Sequence, residues 1–142
     1  MKSKYSSIVE VRKQQLDKAE LNLSQAKQRK LENEKNFELS RQEFYDLNVL
    51  PKSGNVQELR SKLQMASIAK EALKRAKEKV ELSKKEMNHY EFLYKKAHLD
   101  YEKIKILNTQ EIKKKLKEMQ KVEEKFLDEL AISRFVKKEK DE

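Results

Sequence analysis

The chain has 142 residues, of which 42% are charged and 37% hydrophobic, and its formal net charge is +9. Such a composition supplies few hydrophobic residues for a globular core. The absence of cysteine excludes disulfides and thiolate metal sites. No stretch approaches the roughly 20 apolar residues of a membrane span. High charge with low hydropathy also marks disordered chains, but one glycine and one proline among regularly spaced apolar residues favour a coiled coil.

The first predicted helix covers about residues 3–48. Alternating steps of three and four residues, the spacing of a coiled-coil seam, connect Val9, Arg12, Leu16, Ala19, Leu23, Ala26, Lys30, Asn33, Phe37, Ser40, Phe44 and Leu47. Lys30 and Asn33 interrupt this row with polar side chains, which lower stability and fix register.

A turn is predicted at residues 49–55. Pro51 cannot continue a helix, Gly54 tolerates the positive φ of a tight reversal, and Asn55 can cap a new helix. If the turn is centred on residues 51–54, antiparallel pairing puts Phe37 near Ala69.

The second predicted helix covers about residues 56–137. Its seam positions are Leu59, Ala66, Ala69, Leu73, Ala76, Val80, Ser83, Met87, Tyr90, Tyr94, Ala97, Tyr101 and Ile104. We therefore predict an all-α fold with a single domain over residues 1–142, a long antiparallel two-helix coiled-coil hairpin with a longer second helix. Past Ile104 the heptad spacing meets Asn108 and Glu111, so we expect a continuous helix with a stutter near residues 105–111, a kink or short break being the alternative.

The first helix is expected to end near the level of Tyr101, which leaves the later apolar residues without a partner inside the chain. Such an exposed strip usually marks an interaction surface, and the lysines beside it favour an acidic partner. The predicted binding residues are Ile104, Ile112, Lys113, Lys114, Lys115, Leu116, Met119, Phe126 and Leu130.

Residues for catalysis or metal binding are scarce. The sequence has no glycine-rich phosphate loop, and Glu86-x-x-His89 matches only half of a di-iron motif, because Lys95 stands where His98 would need a second glutamate. We expect neither enzymatic activity nor a metal or cofactor. The positive charge leaves a nucleic-acid-associated coiled coil, or another structural coiled coil, as the alternative function.

Two short segments carry a family resemblance. The start Tyr5-x-x-Ile8-x-x-Val11-Arg12-Lys13 and the ending Glu129-Leu130-Ala131-Ile132-Ser133-Arg134-Phe135, joined through one hairpin, resemble the flagellar export protein FliJ family. The resemblance implies a non-enzymatic cytoplasmic component of the type III export apparatus that serves flagellum biogenesis and motility. Such a protein lies at the flagellar base, peripheral to the inner membrane, and is similar to the central stalk of rotary ATPases. The implied partners are the export ATPase and the export-gate platform protein, with export chaperones as further candidates.

The same resemblance implies that residues near the turn bind the export-gate platform protein, which we call the gate contact. Its residues here are Asn33, Phe37, Ser40, Phe44, Leu59, Leu63, Ala66 and Lys70. Ser40, Leu59 and Lys70 depart from the family's pattern. The heptad register moreover places most of the set inside the hairpin, whereas binding requires accessible side chains.

Overall fold

The computed structural model describes residues 2–48 and 54–140, excluding the side chain of Lys140. Helix α1 covers Ser6–Leu47 and helix α2 covers Val56–Lys140, and the two pack against each other. The prediction of an all-α helical hairpin with a longer second helix is confirmed. The centre of the predicted turn, residues 49–53 with Pro51, lies outside the described residues.

Each helix begins at a polar cap. The Ser3 hydroxyl accepts a hydrogen bond from the Tyr5 amide at 3.1 Å, just before α1. The Asn55 side-chain oxygen accepts one from the Glu58 amide at 2.8 Å, so Asn55 is the N-cap of α2, as its type and position predict. Gly54 precedes it with φ of 151°, a conformation that side-chain-bearing residues rarely adopt.

The chain divides into two compact units, and the one nearer the turn is Leu16–Ala97. Among the described residues of this unit, every buried side chain occupies a predicted seam position, and the buried set is Leu16, Leu23, Ala26, Ala69, Val80 and Ser83. The core is therefore a thin row between two helices, which is what a sequence so rich in charge can supply.

The register of this unit differs from the predicted one by about one heptad. Pairing Phe37 with Ala69 would have put Asn33 near Leu73. The Asn33 side chain instead donates hydrogen bonds to the Lys79 carbonyl and to the Ser83 hydroxyl, which lie six and ten residues further along α2. A shift by one heptad keeps seam positions opposite seam positions, so periodicity alone does not select between the two registers. The hydrogen bond between Asn33 and Ser83 forms in only one of the two registers and therefore identifies it.

The other unit consists of Met1–Gln15 and His98–Glu142. Arg12 forms an ion pair with Asp100 at 3.9 Å, and the hydroxyls of Ser3 and Ser6 donate hydrogen bonds to the side-chain oxygen of Asn108. Pairing with the N-terminal segment therefore extends to Asn108, further along α2 than the expected limit near Tyr101.

Helix α2 is continuous through Asn108. Asn108 does not cap a new helix, and the hydroxyl of Thr109 donates to the Lys105 carbonyl four residues earlier at 3.0 Å, a bond compatible with uninterrupted helix. Over residues 2–48 and 54–140, neither helix contains a segment long and apolar enough to cross a membrane.

Candidate protein-binding surfaces

The residues of the expected gate contact divide between the seam and the surface. On α1, Asn33, Phe37, Ser40 and Phe44 are all half-buried. On α2, Ala66 is half-buried, whereas Leu59, Leu63 and Lys70 are exposed. The structure thus brings the α1 members into the packing of the hairpin and leaves three α2 members accessible.

Asn33 takes part in the packing of the hairpin through hydrogen bonds to α2. Its side-chain nitrogen donates to Ser83, and the Ser83 hydroxyl in turn donates to the Lys79 carbonyl at 2.8 Å. Ser83 is only 4% exposed. Since a buried hydroxyl without partners is costly, these two bonds satisfy the polar side chain within the buried row.

The first turns of α2 present an exposed apolar surface. Every residue from 54 to 65 is exposed. The register explains this, because Leu47 at the end of α1 falls opposite about residue 66 rather than Leu59. Val56, Leu59 and Leu63 are spaced three and four residues apart and therefore share one side of the helix. We name these three residues the α2-start surface.

A second uncovered region is the C-terminal part of α2. Ile104 and Ile112 are half-buried, but every residue from 116 to 139 is exposed. Leu116 is 46%, Met119 50% and Phe126 58% exposed. We name Ile112, Leu116, Met119, Phe126 and Leu130 the C-terminal apolar surface. A helix that leaves such side chains in water presents an interaction surface.

Charge is distributed unevenly beside this surface. Lys113, Lys114 and Lys117 are exposed and Lys115 is half-buried, whereas Glu123, Glu124, Asp128 and Glu129 follow within about four turns. The predicted basic patch is thus the first half of a segment whose second half is acidic.

The histidine-containing motif has a structural partner. Glu86, the acidic residue of Glu86-x-x-His89, pairs with Arg29 of α1, and His89 is exposed beside the ring of Tyr90. In the part of the chain that the structure describes, no three His, Asp or Glu side chains come together as a metal site.

Sequence reasoning missed the contact between the chain start and Asn108. Tyr101 on the same stretch of α2 is also flanked by the ammonium groups of Lys13 and Lys105, at 5.6 and 5.3 Å from its ring centre. The polar residues could have predicted this contact. Ser3 and Ser6 are small polar residues at the start of α1, and Asn108 is a polar residue at a seam position of α2. Pairing polar with polar would have given the correct register at both ends.

The chain matches a known protein family. No curated protein and no solved structure matches the chain. The family described as flagellar FliJ protein matches residues 1–140, nearly the whole chain. That family is a non-catalytic component associated with flagellar protein export. The hairpin, its longer second helix and the family match lead to one conclusion: the chain belongs to the flagellar FliJ family.

Proposed function

We propose that the protein is a non-enzymatic stalk of the flagellar type III export apparatus, linking the export ATPase ring to the membrane export gate. It acts in the cytoplasm at the flagellar base, peripheral to the inner membrane, in flagellum biogenesis and motility. Export chaperones are further candidate partners. Family membership supports the export role, and the uncovered surfaces of α2 support the two contacts.

The observation that carries the proposal is the exposed C-terminal part of α2. Its side chains from residue 116 to 139 are exposed, and its apolar members lie beside Lys113, Lys114 and Lys115. An apolar strip with a basic flank suits a partner that offers an apolar groove bordered by carboxylates. We assign this partner as the export ATPase.

The ATPase contact can be tested by binding measurements with the purified export ATPase. Leu116→Asp combined with Phe126→Asp should lower the affinity at least about tenfold, because each change buries a carboxylate in an apolar contact. Leu99→Asp is the matched control, since Leu99 is an exposed leucine of α2 outside the surface. Equal binding by both variants would refute the ATPase contact.

The gate contact is assigned to the α2-start surface with Lys70. Leu59 and Leu63 are accessible, whereas Phe37 and Phe44 pack in the seam and serve to hold the hairpin. Leu63→Asp should therefore weaken binding to the gate platform protein while preserving helix content. The control is Leu82→Asp, at an exposed leucine of the same unit. If both variants bind the gate protein like the wild type, this assignment is wrong.

A further inference from the structure

The side of α2 that faces away from the chain start is exposed over residues 99–121. Ile104 and Asn108 are half-buried on the opposite side, where Asn108 accepts hydrogen bonds from Ser3 and Ser6. Since each residue advances by about 100° around the helix, the residues most distant from that contact share one side. We name them the lysine face, and its members, all exposed, are Leu99, Lys103, Ile106, Gln110, Lys113, Lys117 and Lys121.

Positive charge is concentrated in this part of the chain. Residues 103–121 contain seven lysines and two glutamates, so about 27 Å of helix carries more than half of the net charge of +9. Glu111 and Glu118 lie outside the lysine face, and Glu102 at its edge pairs with Lys105 at 3.9 Å. In the part of the chain that the structure describes, none of the four lysines of the face forms an ion pair. The face therefore attracts an anionic partner.

Two aliphatic side chains stand among these lysines. Leu99 is 59% and Ile106 56% exposed, and Lys103 lies between them on the same side of the helix. They form no continuous apolar strip that would fill a groove in a partner protein. Isolated aliphatic residues surrounded by lysines suit the surface of a bilayer, where the aliphatic groups enter the headgroup boundary and the ammonium groups extend to the anionic headgroups.

The kind of basic residue favours lipid headgroups over nucleic acid. The sequence has no arginine between Arg75 and Arg134. Arginine suits bidentate recognition of phosphates in nucleic acid, whereas attraction to an anionic bilayer depends on accumulated charge, which lysine supplies. Tyr101, the aromatic residue of this stretch, lies on the other side of the helix, with the Lys13 ammonium 5.6 Å from its ring centre. The lysine face thus offers no aromatic platform on which bases could stack.

We propose that the lysine face of α2 binds the surface of an anionic phospholipid bilayer. The helix lies parallel to the membrane, and Leu99 and Ile106 enter the headgroup boundary. Glu124 and Asp128 continue the same side of the helix, so the contact ends before them, because their carboxylates are repelled by anionic lipids. This contact goes beyond the proposed function and does not depend on it.

Vesicle co-sedimentation of the purified full chain, without other proteins, tests the contact. The probes are vesicles of equal parts phosphatidylglycerol and phosphatidylcholine, and vesicles of phosphatidylcholine alone. The chain should bind the anionic vesicles, dissociate from them at high salt, and not bind the neutral ones. Lys103→Gln, Lys113→Gln and Lys117→Gln together should lower the partition coefficient about a hundredfold, because each lysine near an anionic surface contributes about fivefold. A wild-type chain that does not bind the anionic vesicles would overturn the proposal.

The matched control changes the net charge equally at another part of the same helix. It combines Lys74→Gln, Lys77→Gln and Lys84→Gln, at three exposed lysines, and should retain most of the vesicle binding. Equal loss by both triple variants would mean that overall charge, and not the lysine face, drives binding, which would overturn the proposal. Binding to a short DNA duplex that is tighter than vesicle binding and is lost in the face variant would also overturn it, by identifying nucleic acid as the ligand.

A fluorescent label on the cysteine-free chain tests which side of the helix meets the lipid. Ile106→Cys, carrying an environment-sensitive fluorophore, should shift its emission to shorter wavelength on anionic vesicles. Lys105→Cys is the control, because this neighbouring position lies about 100° around the helix, where the Lys105 ammonium is 5.3 Å from the ring centre of Tyr101. Equal shifts at both positions would contradict the proposed orientation. Since no export protein is present, failure of these experiments is distinguishable from failure of the export function.

Discussion

The substitutions Leu23→Ala and Leu21→Ala provide a sharp test of which face of α1 forms the core. The two leucines are two residues apart on one helix, but Leu23 is 8% exposed and Leu21 57% exposed. Truncating a buried leucine removes its apolar contacts and leaves a cavity, so Leu23→Ala should lower the free energy of unfolding by about 2–3 kcal/mol. Leu21→Ala should change it by at most about 0.5 kcal/mol, because most of that side chain already contacts water.

The measurement is urea unfolding followed by far-ultraviolet circular dichroism, repeated over a range of protein concentrations. Since a dimer would make the unfolding midpoint concentration-dependent, the comparison is made where the midpoint no longer varies. The two variants differ by the same chemical change in the same helix, so propensity effects cancel. Equal destabilisation by both substitutions would refute the assigned core face.

Three further substitutions test the caps and the polar layers. Asn55→Ala removes the N-cap of α2 and should cost about 1 kcal/mol in urea unfolding, whereas Asn36→Ala, within α1 and exposed, should cost nothing. Asn33→Ala and Ser83→Ala, measured alone and together, should show a coupling energy of about 1 kcal/mol in the unfolding free energy; additive effects would contradict the observed hydrogen bond. Asn108→Ala should accelerate amide hydrogen exchange at the start of α1 with little change at Leu23, and unchanged exchange there would mean that Asn108 does not anchor the chain start.

Much of the interior could be predicted from local spacing. The buried residues Leu16, Leu23, Ala26, Val80 and Ser83 all stand at predicted seam positions. This succeeds because the side of a helix on which a residue lies depends only on its position along the same helix. The exposure of Leu116, Met119, Phe126 and Leu130 was predictable for the same reason, because these apolar residues lie beyond the reach of the shorter helix.

Accessibility near the turn was harder to predict. Phe37 and Phe44 pack in the seam, whereas Leu59, at an equally regular heptad position, is exposed, as is Leu63 one turn later. The difference arises from the register, which extends the start of α2 past the end of α1. Residues at equivalent heptad positions are equally buried only where a partner helix lies beside them.

The sequence by itself determined that the chain forms two helices, that the second is longer, and which side of each helix is apolar. Only the tertiary structure decided which heptad faces which, because shifting one helix by a heptad leaves the apolar rows aligned. The bonds of Asn33 to Ser83, and of Ser3 and Ser6 to Asn108, occur in one register alone. Polar contacts of a few side chains thus select the pairing that the apolar pattern leaves open, and with it the surfaces that remain accessible.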